Sequence, residues 1–152
     1  MDIIKRVNDD RIDELEAAIL SLPQLNCPLI HRFTKGMYIR EIFMEAGSLI
    51  TSKIHNTNHP FVISKGVVNV SIDNGDWIEL SAPHTGITLQ GTRRVLYIVF
   101  DCVWVTFHPL DFITGEENDW SEEKKDELLE KIENLILEKH ENKALKNTKN
   151  IE

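Results

Sequence analysis

The chain has 152 residues, enough for one domain with a real core, and its make-up of 41% hydrophobic and 28% charged residues is that of a folded globular protein. Its formal net charge of −8 argues against a general nucleic-acid binder, which needs a basic footprint. No run of about 18 apolar residues is present to span a membrane, and the start MDIIKRVNDDRIDELEA has no apolar stretch followed by a small-residue cleavage site, so a cytoplasmic protein is expected.

Residues 9–21, DDRIDELEAAILS, lead into a stripe of Ile12, Leu15, Ile19 and Leu22 at spacings of three and four, which predicts a helix. Asp9 or Asp10 can cap its start and Pro23 stops it. From 28 to 109 the sequence turns to short runs rich in Val, Ile, Phe, Tyr, Trp and Thr: HRFT, MYIREIFME, LITSKIH, FVISK, VVNVSI, WIELS, ITLQ, RVLYIVF and VWVTFHP. Turn signals part them at Lys35-Gly36, Ala46-Gly47, Asn56-Thr57-Asn58, Lys65-Gly66, Asp73-Asn74-Gly75-Asp76, Gly91-Thr92 and Asp101-Cys102. Many short strands at this spacing predict an antiparallel sandwich or barrel. In VVNVSI, Val68, Val70 and Ile72 face one way while Asn69 and Ser71 face the other, and Asn74-Gly75 is a strong hairpin signal. A second helix is predicted over 119–145, with a capping box at Asp119 and Glu122. Its apolar stripe of Leu128, Leu129, Ile132, Leu135 and Ile136 packs on the barrel or meets a partner helix. The chain thus divides into a helical extension at 1–26, a β domain at 27–112, a C-terminal helix at 113–145 and a frayed tail at 146–152.

The stretch KIHNTNHPFVISKG holds the most chemistry. On one straight strand His55 and His59 would lie about 13 Å apart, too far to share an ion whose nitrogen ligands sit about 2.0–2.1 Å from it. With Asn56-Thr57-Asn58 as a loop they face each other, about 5 Å apart at Cβ, and two ligands become plausible. A catalytic zinc or non-haem iron needs a third, and His84, His108, Glu41 and Cys102 are the candidates. The same region is basic against the acidic whole: Lys53, Arg40, Arg93 and Arg94 suit a phosphate or carboxylate, which guanidinium groups hold with paired hydrogen bonds. His31 and His140 read as surface or strand-edge residues, and Trp77, Trp104 and Tyr97 as core or barrel lining. Cys27 and Cys102, with no CxxC motif, read as buried thiols in a reducing compartment. No GxSxG, P-loop or GxGxxG motif occurs.

The strand order and two motifs resemble the cupins, which are small double-stranded β-helix barrels. GSLITSKIHNTNHPFVISKG matches their first motif by spacing, with Lys53 at the first histidine position, His55 at the second, His59 where the family has Glu, and Gly66 closing it. PHTGITLQGT, from Pro83, resembles the second motif, with Thr88 at the usual histidine position. CPLIHRFTKGMYIREI, the SKG turn and GTRRVLYIVFDCVWVTFHP are similar to a set of cupin-like proteins of tailed bacteriophages. The resemblance implies a mainly β fold, a cupin-like antiparallel barrel or jelly roll, to which the periodic segments add an N-terminal helix and a C-terminal amphipathic helix. The basic residues predict a small anionic ligand in the barrel, and the phage resemblance adds that such a protein would sequester a host nucleotide signal in the host cytoplasm. The residues expected to hold it are Lys53, His55, His59, Arg93 and Arg94, with Arg40 and His84 behind them. The alternatives are a metal-dependent cupin enzyme using zinc, iron or manganese on His55 and His59, and a homodimeric or higher-order interaction module.

Overall fold

Two strands longer than the runs in the sequence organise the domain. The computed structural model describes residues 3–52, 54–72, 75–110 and 122–136. Helix α1 (Ile3–Leu20) precedes strands β1 (Leu29–Thr34), β2 (Met37–Met44), β3 (Leu49–Thr51), β4 (His59–Ser71), β5 (Trp77–Ser81), β6 (His84–Thr88) and β7 (Val95–Pro109). A short 3-10 turn (Glu122–Lys124) then leads into helix α2 (Lys125–Ile136). FVISK and VVNVSI are therefore one strand, as are RVLYIVF and VWVTFHP. β6 begins at His84, ahead of the expected ITLQ, and β3 stops at Thr51. The expected capping residue Asp119 and the turn residue Asn74 lie outside the described residues.

β4 and β7 pair with each other from Phe61–Thr106 to Val70–Leu96, and each carries two shorter strands on its far edge. The first half of β4 pairs with β6 and the second half with β5. The first half of β7 pairs with β3 and the second half with β2, which continues to β1. All pairings are antiparallel, so two half-sheets, β1-β2-β7-β4-β6 and β3-β7-β4-β5, share the long strands and curl around one core. The register against β7 slips at Lys65–Val67, and there Gly66 takes φ +97°. A side chain at Gly66 would overlap the Asp101 carbonyl oxygen and come within 2.8 Å of the Cys102 Cα. Glycine thus marks a bulge that bends a continuing strand, not a turn that ends one.

Alternation selects the inner face. Ile42, Met44, Phe61, Ile63, Val68, Val70, Leu96, Ile98, Cys102 and Trp104 form the buried core. Trp104 is inside as expected, but Trp77 and Tyr97 are 51% and 43% exposed, because Trp77 sits on the edge strand β5 and Tyr97 on the outer side of β7 beside Leu49. Helix α2 packs inside the domain: Leu128 and Ile132 join Tyr38 and Leu110 in a second cluster flanked by Phe33 and Leu129. Ile132 is fully buried, so Ile132→Ala is expected to cost about 2–4 kcal/mol by transfer and cavity terms. Urea unfolding checks this, and a cost near zero would mean that α2 does not dock here. Among the described residues no helix is long and apolar enough to cross a membrane.

Candidate metal centre

The inner face of the half-sheet β1-β2-β7-β4-β6 changes from apolar to polar along its length. On β2 the buried side chains run Met44, Ile42, Arg40, Tyr38, on β7 they run Cys102, Trp104, Thr106, His108, and on β4 Ile63, Phe61, His59. Antiparallel pairing sets the polar ends side by side: His108 opposite Tyr38, Thr106 opposite both Arg40 and Phe61, and His59 opposite Thr88 of β6. Just before β4 the chain bends at Asn56 and Thr57, which returns His55 to the same spot. That loop is tied down from outside, since the Gly91 amide donates to the His55 carbonyl at 3.0 Å and the Gln90 amide donates to Asn58 Oδ1 at 2.6 Å.

The result is three buried imidazoles in mutual contact. Ring centroids lie 4.7 Å apart for His55–His59, 4.5 Å for His59–His108 and 5.4 Å for His55–His108. One ring nitrogen from each lies within 4.8 Å of the others. The surrounding hydrogen bonds choose the tautomers. His59 Nδ1 is 3.2 Å from the Thr57 carbonyl oxygen, which can only accept, so Nδ1 carries a proton and Nε2 is the nitrogen left for a ligand bond. The Thr106 hydroxyl donates to the Arg40 carbonyl at 3.5 Å and so accepts from His108 Nε2 at 2.9 Å. This leaves the lone pair on His108 Nδ1, which is buried and has no hydrogen-bond partner among the described residues. Burial first, then the charges of His59 and Arg40, pushes His108 down from 6.5 to about 3, so it is a neutral imidazole at ordinary pH. Neutral imidazoles whose other nitrogen is held by a backbone or hydroxyl oxygen are the form in which histidine ligates a transition metal. A buried lone pair without a proton donor is what a cation would satisfy. The residues present therefore fit a three-histidine metal site.

A cavity of about 30 Å³, room for one or two waters, opens against this cluster and is lined by His55, His59, Thr88, Arg94, Trp104 and Thr106 among others. Arg94 donates to Thr88 Oγ1 at 3.1 Å and its guanidinium lies 5.2 Å from the centre of the Phe61 ring. The Phe61 ring in turn stacks on Trp104. Thr88, at the position where the cupin motif has histidine, thus stands in the cavity wall opposite His59 and supports Arg94.

The other expected site residues fall elsewhere. Lys53 lies outside the described residues. Arg40 is buried behind His108 and acts on it electrostatically. Arg93 is 1% exposed but turns to helix α1, where Asp13 and Glu16 hold it, and it does not line the cavity. His84 is half-buried, with its ring 5.8 Å from Phe61 on the Ile63 side, and does not join the imidazole cluster. Of the candidate third ligands, Glu41 pairs with Arg32 at 3.3 Å on the outer face, and Cys102 sits in the apolar core with its thiol pushed up by burial to about 11. Cys27 is likewise buried and free, its thiol raised by burial and by Glu45. His31 is half-buried with Nδ1 2.7 Å from the Tyr38 hydroxyl, and the Tyr38 ring stacks against His108. His108 is the third histidine. The alternation in WVTFHP, which puts Trp104, Thr106 and His108 on one face, is the signal that points to it.

No protein-family model and no curated protein sequence matches the chain. Solved structures do. Salicylate 1,2-dioxygenase from Pseudoaminobacter salicylatoxidans, solved with gentisate, aligns over 69% of this chain with TM-score 0.51 and 13% identity. The fold is cupin-like. This cupin-like barrel corresponds to only 32% of the dioxygenase chain, so the likeness carries the fold and no activity. The Schizosaccharomyces pombe Cnp3 cupin domain aligns over 64% of this chain and 70% of its own, at 14% identity and TM-score 0.49. A cupin superfamily protein from Desulfitobacterium hafniense aligns over 62% and 87%, at 9% identity and TM-score 0.49.

Proposed function

We propose that the barrel is a metal centre in which His55, His59 and His108 hold one divalent transition-metal ion and Arg94 holds a small anionic ligand beside it. The observation that carries this reading is the convergence of three buried imidazoles on one point. An all-imidazole donor set suits zinc, copper, iron or nickel more than magnesium or calcium. Three neutral ligands leave the ion its full double charge, and a bound ion would supply Lewis acidity at the cavity. Arg94 adds a second positive charge on the wall, so both favour a ligand that brings negative charge. Thr88 fixes the guanidinium, and Phe61 with Trp104 keeps that side of the cavity dry. A ligand of carboxylate size matches a cavity of about 30 Å³ better than a nucleotide does, so the host-signal role implied by the phage resemblance draws no support from its size. The free, buried thiols of Cys27 and Cys102 are in keeping with a cytoplasmic protein.

A second reading, a metal-free anion pocket, is favoured by buried Arg40, whose charge near His108 opposes a cation. Native mass spectrometry with elemental analysis of protein purified without chelator separates the two. The metal-centre reading expects one ion per chain, lost in His59→Ala. Protein that takes up no zinc, iron or manganese but retains inorganic phosphate would support the second reading and sink the first.

A further inference from the structure

A buried arginine ties helix α1 to the loop beside the histidine cavity. Arg93 Nη1 donates to Asp13 Oδ1 at 2.5 Å and to the Asp9 carbonyl at 3.4 Å, and Nη2 donates to Glu16 Oε2 at 2.5 Å. Arg93 is 1% exposed and Glu16 0%, so the charges meet out of water. The residues on either side of Arg93, Thr92 and Arg94, both line the cavity. The Arg94 amide is also fixed, donating to Ser52 Oγ at 2.8 Å, and Ser52 lines the same cavity. At its other end the same loop is fastened to the ligand-bearing bend, through Gly91 to His55 and Gln90 to Asn58. The loop Leu89–Arg94 is thus a strap between the histidines and helix α1.

Burying charges in this way is a poor route to stability, because their desolvation offsets most of their attraction, and apolar side chains would dock a helix as well. What such a cluster does supply is one fixed geometry. In a cavity with room for one or two waters, a wall displaced by about 1 Å changes what can bind, and misplacement of that size costs about a hundredfold in other sites.

We infer that Arg93 is a positioning residue: clamped by Asp13 and Glu16 of α1, it sets Thr92 and Arg94 on the cavity wall and so fixes how tightly a small carboxylate is held beside the histidines. This rests on the proposed reading of the histidine site. Helix α1 is then a part of that site and not only an extension of the barrel.

The test uses the full chain as wild type, Asp13→Asn and Glu16→Gln. Asp13 is 42% exposed, so its variant keeps the fold if Glu16→Gln does not. Two readouts are taken: formate titrated into the cobalt(II)-loaded protein and followed by visible absorption, and amide hydrogen exchange of the metal-free protein. In Asp13→Asn, formate affinity is expected to fall by about tenfold while cobalt(II) affinity is unchanged. The hydrogen-bonded amides of Gly91 and Arg94 should exchange at least severalfold faster, with Ile98 in the core unchanged. Formate affinity and Gly91 and Arg94 exchange equal to wild type would overturn the inference. So would a uniform rise in exchange that includes Ile98, with cobalt(II) affinity falling in step, because α1 would then merely support the fold. If wild type binds no cobalt(II), the metal-centre reading fails by itself, and unchanged exchange at Gly91 and Arg94 still overturns the positioning role.

Discussion

His108→Ala is expected to lower zinc or cobalt(II) affinity at least about a hundredfold, the scale on which loss of even an indirect metal partner acts. His55 and His59 come from one bend, and two imidazoles alone leave an ion with too few protein ligands for a stable site. His108 brings the third from the opposite end of the long strand β7, with its proton already placed on Nε2 by Thr106 and its Nδ1 lone pair buried. The same substitution leaves a void beside Tyr38, His55 and His59 and should cost about 1–3 kcal/mol in stability. That loss is modest enough for the variant to fold and be titrated. His84→Ala is the matched control, since His84 is a half-buried histidine on β6, two strands from His108, and its ring lies against Phe61. Calorimetric titration of both variants decides the matter: equal affinities for His108→Ala and His84→Ala would remove His108 from the site.

Gly66→Ala is expected to cost about 3–5 kcal/mol and to leave little folded protein. Positive φ contributes only part, about 1–2 kcal/mol for an L-residue. The remainder comes from the position of the new Cβ, which meets the backbone of Asp101 and Cys102 on β7, and backbone in a paired strand cannot rotate away. Gly36 separates the two terms. Its φ is +86° but a Cβ there meets nothing within 4 Å, so Gly36→Ala should show the conformational cost alone. Thermal unfolding of the two variants measures the difference, and equal midpoints would mean that the β4–β7 crossing tolerates a side chain at Gly66.

The barrel was legible because it rests on local signals. Alternation in VVNVSI does bury Val68 and Val70, although it fails at the end of the strand, where Ser71 is buried and Ile72 half-buried, and the loop between His55 and His59 does bring their rings together. What local signals cannot do is tell a bend from a turn. Lys65-Gly66 has turn composition, yet the strand continues because glycine accommodates the bulge against β7. Asp101-Cys102 reads as a turn as well. Asp101 stays in β7 because its carboxylate accepts the Ala46 amide at 2.9 Å, so its polar side chain closes a neighbouring turn across the barrel end.

The site was half legible for the same reason. His55 and His59 are neighbours in the chain, whereas His108 joins them only through the register of β7 against β4 and β2. Arg93 and Arg94 are adjacent and look alike in sequence, but the loop that leads into β7 sends their side chains to different partners. Arg94 goes to the cavity, and Arg93 to carboxylates 80 and 77 residues earlier in the chain. No pattern short of the fold tells the cavity-facing arginine from the one that clamps a helix.

X-ray absorption at the metal edge of the zinc-loaded protein counts the imidazoles around the ion. A three-histidine centre gives three, with nitrogens at about 2.0–2.1 Å, falling to two in His108→Ala. A zinc ion surrounded by oxygen, or by the same number of imidazoles in wild type and His108→Ala, would contradict it.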